Sequence, residues 1–305
     1  MQLNFDVVVI GCGCSGMTAA IYLKRANKKI LIIESNAPGG QINKTSIIDN
    51  YPGFISVDGP TLANNMFSQI QKLAIPYKSG NVSAIIDRGD FKIIKTNNEE
   101  ITCSAIIIAT GRKPRELGLE NERELAGKGI SWCSICDAPL FKGKDIVVVG
   151  GGNSALEESI HLSEYVNKIT LIHRQNEFRG DDILQSRVLN NSKINIVYDS
   201  VITKINQDNG FFSGVEIRNL KTNENNKIDA SGLFIYIGFE PATDIFKNIG
   251  VNITGSYIIV DENMRTNINN IYACGDVIKK ELYQIATAVG EGARAAFSAI
   301  QDLDT

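Results

Sequence analysis

The chain has 305 residues, 43% of them hydrophobic, and sets 31 Lys and Arg against 34 Asp and Glu for a formal charge of −3. That length suits about two domains with buried cores, and the balance excludes both a disordered chain and a basic nucleic-acid binder. No apolar run approaches the ~20 residues of a membrane helix, so no membrane partner is expected. Met1 to Asp6 carry no basic flank and lead straight into Val7–Ile10, which argues against a signal peptide and for a cytoplasmic protein. Six cysteines are too few for a disulfide scaffold, and close-set ones in such a chain point to redox chemistry or metal binding.

Asp6 opens onto Val7 to Ile10, a β-branched apolar run with the pattern of a strand buried on both faces. The turn Gly11-Cys12-Gly13-Cys14-Ser15-Gly16 follows, then a helical pattern, then an apolar return strand at Ile30–Ile33. In such a turn the first glycine permits a tight bend, the second lets a pyrophosphate approach the backbone, and the third allows close helix packing. The helix N-terminus then faces the diphosphate. Residues 81 to 108 read as short strands (Val82–Ile86, Phe91–Lys95, Ile101–Ile108) forming a β-meander. Residues 112 to 129 are polar, carry Pro114, Gly118, Gly127 and Gly129, and read as a linker.

The opening pattern then recurs. Asp145 to Val149 runs into Gly150-Gly151-Gly152-Asn153-Ser154-Ala155, with Gly150 lying 139 residues after Gly11. Ala155, Ser159, Leu162 and Val166 share one helical face, and Ile169–Ile172 is the return strand. A second linker-like stretch, Gly238-Phe239-Glu240-Pro241, follows the apolar run Phe234–Ile237, and Gly290–Ile300 reads as a terminal helix. The expected fold is α/β: two Rossmann-like dinucleotide-binding domains, three-layered, with parallel sheet plus β-meander. The second is inserted into the first, giving residues 1–113 and 242–305 for one and 114–241 for the other. Two plain strand-helix-strand units that bind nothing are the alternative, and the register of both glycine motifs between strand and helix weighs against it.

The end of each return strand separates the nucleotides. Glu34 lies 23 residues after Gly11, where a carboxylate accepts hydrogen bonds from both ribose hydroxyls and repels a 2′-phosphate. At the same offset from Gly150 stands His173, followed by Arg174 and later Arg179, and guanidinium groups pair well with phosphate. FAD in the first unit and NADPH in the second is the simplest assignment. Solvated surface charge is the plainer reading of the two arginines, and Gln175 supplies no third cation.

Between the units lies Ser131-Trp132-Cys133-Ser134-Ile135-Cys136-Asp137. Two cysteines three apart can close a small disulfide, and such pairs often include one thiol of lowered pKa. Asp137 could give or take a proton as the pair opens and closes. A zinc half-site or a purely structural pair are the alternatives. Structural zinc wants four N or S ligands, whereas the chain has no second CxxC and only two histidines, His161 and His173, so no metal is expected. Cys12 and Cys14 fill variable positions of the glycine turn, and Cys103 and Cys274 belong to apolar stretches.

Over essentially its whole length the sequence resembles the low-molecular-weight, bacterial-type thioredoxin reductases. The resemblance is carried by the first glycine motif, Gly39-Gly40-Gln41, Asn50-Tyr51-Pro52-Gly53, Ala109-Thr110-Gly111, the CxxC with Asp137, the second glycine motif, His173-Arg174 with Arg179, and Ala273-Cys274-Gly275-Asp276. It implies a homodimeric flavin enzyme that reduces thioredoxin or a thioredoxin-like protein. It implies that Cys136 receives electrons from the flavin, that Cys133 attacks the protein disulfide, and that Asp137 is the acid. It implies FAD contacts at Gly11, Gly13, Ser15, Gly16, Glu34, Ser35, Gly39, Gly40, Gln41, Asn50, Thr110, Gly111, Gly275, Asp276, Gln284, Ile285 and Ala286. It implies NADPH contacts at Gly152, Asn153, Ser154, His173, Arg174 and Arg179, and two domains that rotate about the linkers.

The sequence departs from the family at Gln175, where an arginine is usual, at Tyr283-Gln284, where Arg-Gln is usual, and at Ala138, where a glycine is common. Those positions leave NADH or ferredoxin as alternative donors. A dithiol oxidase and a flavin-bearing redox sensor without turnover are the readings from other classes.

Overall fold

A strand buried on both faces needs apolar side chains at every buried position, and Val7–Ile10 of β1 (Phe5–Ile10) supply them. Val7 and Val9 point into one core, Val8 and Ile10 into another. In the computed structural model, which describes residues 4–45, 47–97, 99–241 and 243–305, two units emerge: Met1–Lys113 with Glu240–Thr305, and Pro114–Phe239. The expected return point, Ala242, lies outside the described residues.

The first unit continues with α1 (Cys14–Arg25), β2 (Ile30–Glu34), α2 (Gly59–Lys72), β3 (Tyr77–Ser79), β4 (Val82–Asp87), β5 (Lys92–Thr96), β6 (Glu100–Ile108) and β7 (Arg112–Pro114). Strands β3, β2, β1 and β6 lie side by side in parallel. The first half of β6 carries the antiparallel meander β5–β4. α2 begins where Asp58 accepts a hydrogen bond from Thr61 N at 2.8 Å, with Pro60 in its first turn, a start signal written locally in the sequence.

The second unit holds β8 (Ile130–Ser131), α3 (Ser134–Asp137), β9 (Asp145–Gly150), α4 (Asn153–Ser163), β10 (Lys168–Ile172), α5 (Asp182–Leu189), β11 (Ile194–Val197), β12 (Ser200–Asp208), β13 (Phe211–Asn219), β14 (Asn225–Asp229) and β15 (Gly232–Tyr236). Its parallel sheet runs β11-β10-β9-β15-β8. Ile146 and Val148 of β9 pack towards Leu156 and Leu162 of α4, while Val147 and Val149 pack towards the meander β12-β13-β14. This second meander was absent from the sequence reading. Its strands bury fewer than half of their residues, Ile202, Phe212, Val215 and Ile217 among them, so their apolar content is low, although Asn209-Gly210, both at positive φ, is a hairpin signal.

Residues 112–129 are more than a linker. Leu117, Leu119 and Leu125 join the second unit's core, and the buried Glu122 accepts hydrogen bonds from the backbone of Leu117, Gly118 and Leu119. The stretch is a folded loop built around one carboxylate rather than a plain linker. The polar majority concealed three anchoring leucines.

The chain returns through β16 (Phe239–Pro241), and the first unit is completed by β17 (Ile253–Thr254), β18 (Tyr257–Ile258), β19 (Ile271–Ala273) and α6 (Ile285–Leu303). β19 adds in parallel to the second half of β6. α6 is longer than the expected 290–300 and starts with Gln284 and Thr287 exchanging hydrogen bonds as a capping box. It lies against α1, its small residues Gly292, Ala295, Ala296 and Ala299 permitting close approach. No described helix is long and apolar enough to cross a membrane.

Candidate functional site

In the first unit β1 delivers the chain into its glycine turn beside the ends of β2 and β6. Gly11 N donates to Ile33 O at 2.8 Å, and Ala109 N to Ile10 O at 2.8 Å. Gly11 sits at φ +109, and a Cβ there would lie 2.2 Å from Ala109 O. Gly13 differs: its φ is −78 and a Cβ would meet nothing within 4 Å. One glycine is demanded by the fold, the other by open space in front of the turn. α1 then starts without any side-chain cap, so its first N–H groups are left for an anion. Glu34 accepts from Cys12 N at 2.7 Å and from Asn36 N at 2.9 Å, which anchors a carboxylate at the rim. Ser35 lies beside it, its hydroxyl 3.4 Å from Glu34 Oε1. Open turn, uncapped helix and fixed carboxylate fit the adenosine diphosphate half of a dinucleotide.

The remaining first-unit candidates gather around that turn. Gly39 N donates to Cys12 O at 2.8 Å, Gly40 stacks over Gly13, and Gln41 Nε2 donates to Arg112 O at 2.7 Å. Ser15 and Gly16 open α1, and Ser15 closes onto Gly275, where a Cβ would lie 2.4 Å from the serine Oγ. Asn50 Nδ2 donates to Gln284 Oε1 at 3.1 Å, with Ile285 and Ala286 in the first turn of α6. Thr110 and Gly111 follow β6 and lead into Arg112.

Three charged residues here, Arg112, Lys280 and Glu291, join Asp276 and are not among the residues expected from the sequence. Arg112 donates to Asp276 Oδ2, and Lys280 lies 3.5 Å from Asp276 and 2.8 Å from Glu291. Glu291 in turn accepts from Gly275 N at 2.9 Å, and burial holds its carboxyl above the usual range. Tyr283 lies under Arg112, 4.2 Å from guanidinium carbon to ring centre. The signals were local: Arg112 directly follows Ala109-Thr110-Gly111, and Lys280 stands four residues after Asp276.

In the second unit Gly152 is open in the same way, with nothing within 4 Å of a Cβ, and α4 also starts without a side-chain cap. Asn153 is engaged by Asp181, exchanging hydrogen bonds of 2.9 and 2.8 Å, while Ser154 is exposed. Arg174, Gln175 and Arg179 are exposed on the following loop. His173 differs from them: it is 3% exposed, its ring fills the space beside Gly151, and its Nε2 has no hydrogen-bond partner. Burial, with Arg179 and Arg174 nearby, lowers its pKa. It supports the turn from beneath rather than joining the arginines at the surface.

Cys133 and Cys136 form a disulfide, with Cα atoms 5.4 Å apart. Cys133 caps the short α3, its Sγ accepting from Cys136 N at 3.2 Å. Ser131 brackets the turn, its Oγ accepting from Cys133 N at 3.0 Å and donating to Cys133 O at 3.2 Å. Asp137 ends α3, with its N–H on Cys133 O at 3.2 Å. Cys136 is the exposed member, whereas Cys133 is 7% exposed. The other four thiols, Cys12, Cys14, Cys103 and Cys274, are each pushed up to about 12, chiefly by burial, and stay protonated and unreactive. Among the described residues no group of three or more His, Cys, Asp or Glu could hold a metal.

Residues 5–292 match the family model described as pyridine nucleotide-disulphide oxidoreductase. The chain is 40% identical to the thioredoxin reductase of Bacillus subtilis (strain 168), over 96% of this chain and 93% of the relative. Among solved structures it is similar to Lactococcus lactis thioredoxin reductase in its FR conformation, with 40% identity, a TM-score of 0.91, and 98% and 99% of the two chains covered. It is also similar to T. acidophilum thioredoxin reductase, with 33% identity, a TM-score of 0.89 and 100% of each chain covered.

Proposed function

Because this chain belongs to the pyridine nucleotide-disulphide oxidoreductase family, within its thioredoxin reductase group, we propose that it reduces the disulfide of a thioredoxin-like protein at the expense of NADPH. The observation that carries the reading is the Cys133–Cys136 disulfide, held in the same unit as the open, uncapped glycine turn at Gly152. FAD, when bound, takes a hydride from a nicotinamide and supplies an electron pair to a disulfide.

The first unit would hold FAD through Gly13, the start of α1, Glu34 and the Arg112–Asp276 pair, with Asp276 and Gln284 placed to serve its ribityl and ring region. The second unit holds the nicotinamide dinucleotide at Gly152–Ser154, with Arg174 and Arg179 facing a 2′-phosphate. Two electrons open the disulfide at Cys136, and Cys133 leaves as a thiolate. Asp137 supplies the proton that the opened pair requires. The Cys133 thiolate then attacks a thioredoxin sulfur, and Cys136 resolves the mixed disulfide, so that two electrons and two protons pass to thioredoxin. The working form is a homodimer in the cytoplasm, a reading supported by the family and by Tyr22 and Phe297, large aromatic side chains left half exposed on α1 and α6.

Anaerobic titration of the flavin-loaded protein tests this. NADPH bleaches the flavin band, and oxidised thioredoxin restores it. A preparation that takes up no flavin, or whose reduced flavin thioredoxin does not reoxidise, would sink the proposal. A second reading keeps the fold and changes the donor to NADH or reduced ferredoxin, and Gln175 favours it by offering a 2′-phosphate no third cation. Reduction rates with the three donors separate the readings.

A further inference from the structure

Beneath the dithiol lies a polar cluster that the proposed reaction does not use. Ser134, between the two cysteines and 1% exposed, donates its hydroxyl to Glu158 Oε2. Glu158 stands on α4, half-buried. Tyr236, at the end of β15, buries its hydroxyl beside Ser134 without a hydrogen bond of good geometry. The CxxC turn is therefore pinned twice, by Ser131 through the Cys133 backbone and by Glu158 through Ser134. A half-buried carboxylate hydrogen-bonded to the residue between the two cysteines can act electrostatically on a thiolate formed in that turn.

We propose that Glu158 is a positioning residue for the dithiol: gripped by the Ser134 hydroxyl, it ties the Cys133–Cys136 turn to α4, and its charge governs how readily the opened pair gives up a proton. The inference rests on this pair being the reacting dithiol. Burial pushes the Glu158 carboxyl up to about 7, the Ser134 hydrogen bond lowers it, and the Glu157 charge raises it. The other ionisable groups of the cluster are Asp137 on α3 and Tyr236 on β15, while Asp181 before α5 acts on Glu157. Near neutrality the carboxyl thus passes from neutral to anionic, and the anion disfavours a neighbouring thiolate.

The test reads the dithiol directly. Flavin-loaded protein is reduced with dithiothreitol, desalted, and alkylated with iodoacetamide from about pH 5.5 to about pH 8.5. Labelling at Cys133 and Cys136 is followed by mass spectrometry. Glu158→Gln should label at the wild-type rate at the acid end and about three- to tenfold faster at the alkaline end, where only the wild type carries the charge. Ser134→Ala should move the wild-type inflection to higher pH, and Glu158→Asp should retain an inflection. A Gln-to-wild-type ratio that is flat across pH, or a Ser134→Ala profile that overlies the wild type, overturns the proposal. Should Glu158→Gln fail to fold, the Ser134→Ala profile decides alone. Because alkylation needs neither thioredoxin nor a nucleotide, failure here is distinct from failure of the proposed activity.

Discussion

Arg112 places Nε at 3.0 Å and Nη2 at 2.8 Å from a single oxygen of Asp276, across 164 residues of sequence. The pair joins the start of β7 to the segment after β19 and holds one carboxylate at the candidate flavin site. Arg112→Ala would leave Asp276 with Lys280 as its nearby cation and with Glu291 as a like-charged neighbour. FAD affinity of the apoprotein should fall by about tenfold, a loss in the range of one charge-assisted hydrogen bond. Quenching of flavin fluorescence on titration measures it. Unchanged affinity would remove this pair from the flavin site.

The two glycines of the first turn should separate folding from binding. Gly11→Ala forces a Cβ to 2.2 Å from Ala109 O at a positive φ and should cost about 3 kcal/mol or more of stability. Gly13→Ala adds a methyl where nothing lies within 4 Å. It should leave the melting temperature of the apoprotein unchanged while weakening FAD uptake, because the methyl occupies the approach of the diphosphate. Thermal melts of apoprotein and flavin titrations of both variants check the contrast.

The parts legible beforehand are those written locally. Val7–Ile10 and Ile146–Val149 are apolar at each position because their strands are buried on both faces, and Gly11 and Gly150 stop each run where the turn must begin. What escaped was either diluted or distant. The meander at 200–229 buries fewer than half of its strand residues, so its polar majority masks it. The Ser134–Glu158 bond joins residues 24 apart, and a glutamate on a helix carries no mark of which neighbour it will meet. Cys133 and Cys136 were found because their chemistry needs them three apart, but their unequal exposure was not, since it depends on how Ser131 and Ser134 hold the turn.

Asp302 should make part of the stability pH-dependent. It accepts from Arg265 Nε and Nη2 at 2.8 and 2.7 Å and from Tyr272 Oη at 2.7 Å, tying α6 to β19. The Arg265 hydrogen bonds hold its carboxyl below the usual range. A depressed folded pKa means stabilisation that is complete above the unfolded value and is lost as pH falls through the folded one. The gap in urea midpoint between wild type and Asp302→Asn should be full at neutral pH and close below about pH 3. A gap that persists in acid would assign the loss to packing instead.

Gln175 should control the choice of donor. It stands exposed between Arg174 and Arg179, where a cation would add to a phosphate site. Gln175→Arg should lower the KM for NADPH by about tenfold and leave that for NADH unchanged, because only the former carries the extra phosphate. Arg174→Ala and Arg179→Ala should do the opposite. Steady-state kinetics with both nucleotides give the ratio, and a ratio indifferent to all three changes would place the 2′-phosphate away from this loop.

The two cysteines should be distinguishable by what each single variant can still do. In Cys136→Ser the remaining Cys133 can attack a thioredoxin disulfide, releasing the other thioredoxin thiolate, and the reductase has no second thiol of the pair to resolve the product, so a covalent adduct should be trapped when the released thiol is alkylated at the quench, visible by mass spectrometry under non-reducing conditions. In Cys133→Ser no adduct through the attacking position can form, and thioredoxin reduction should be lost, while the exposed Cys136 should still alkylate rapidly. Cys133 is 7% exposed, so the turn must present it before it can react. Adduct formation by Cys136→Ser should therefore level off as thioredoxin is raised, at the rate of that exposure step, instead of rising in proportion to concentration. An adduct formed by Cys133→Ser and not by Cys136→Ser would reverse the assignment, and a strictly linear dependence would mean that the buried thiol is presented faster than the two proteins meet.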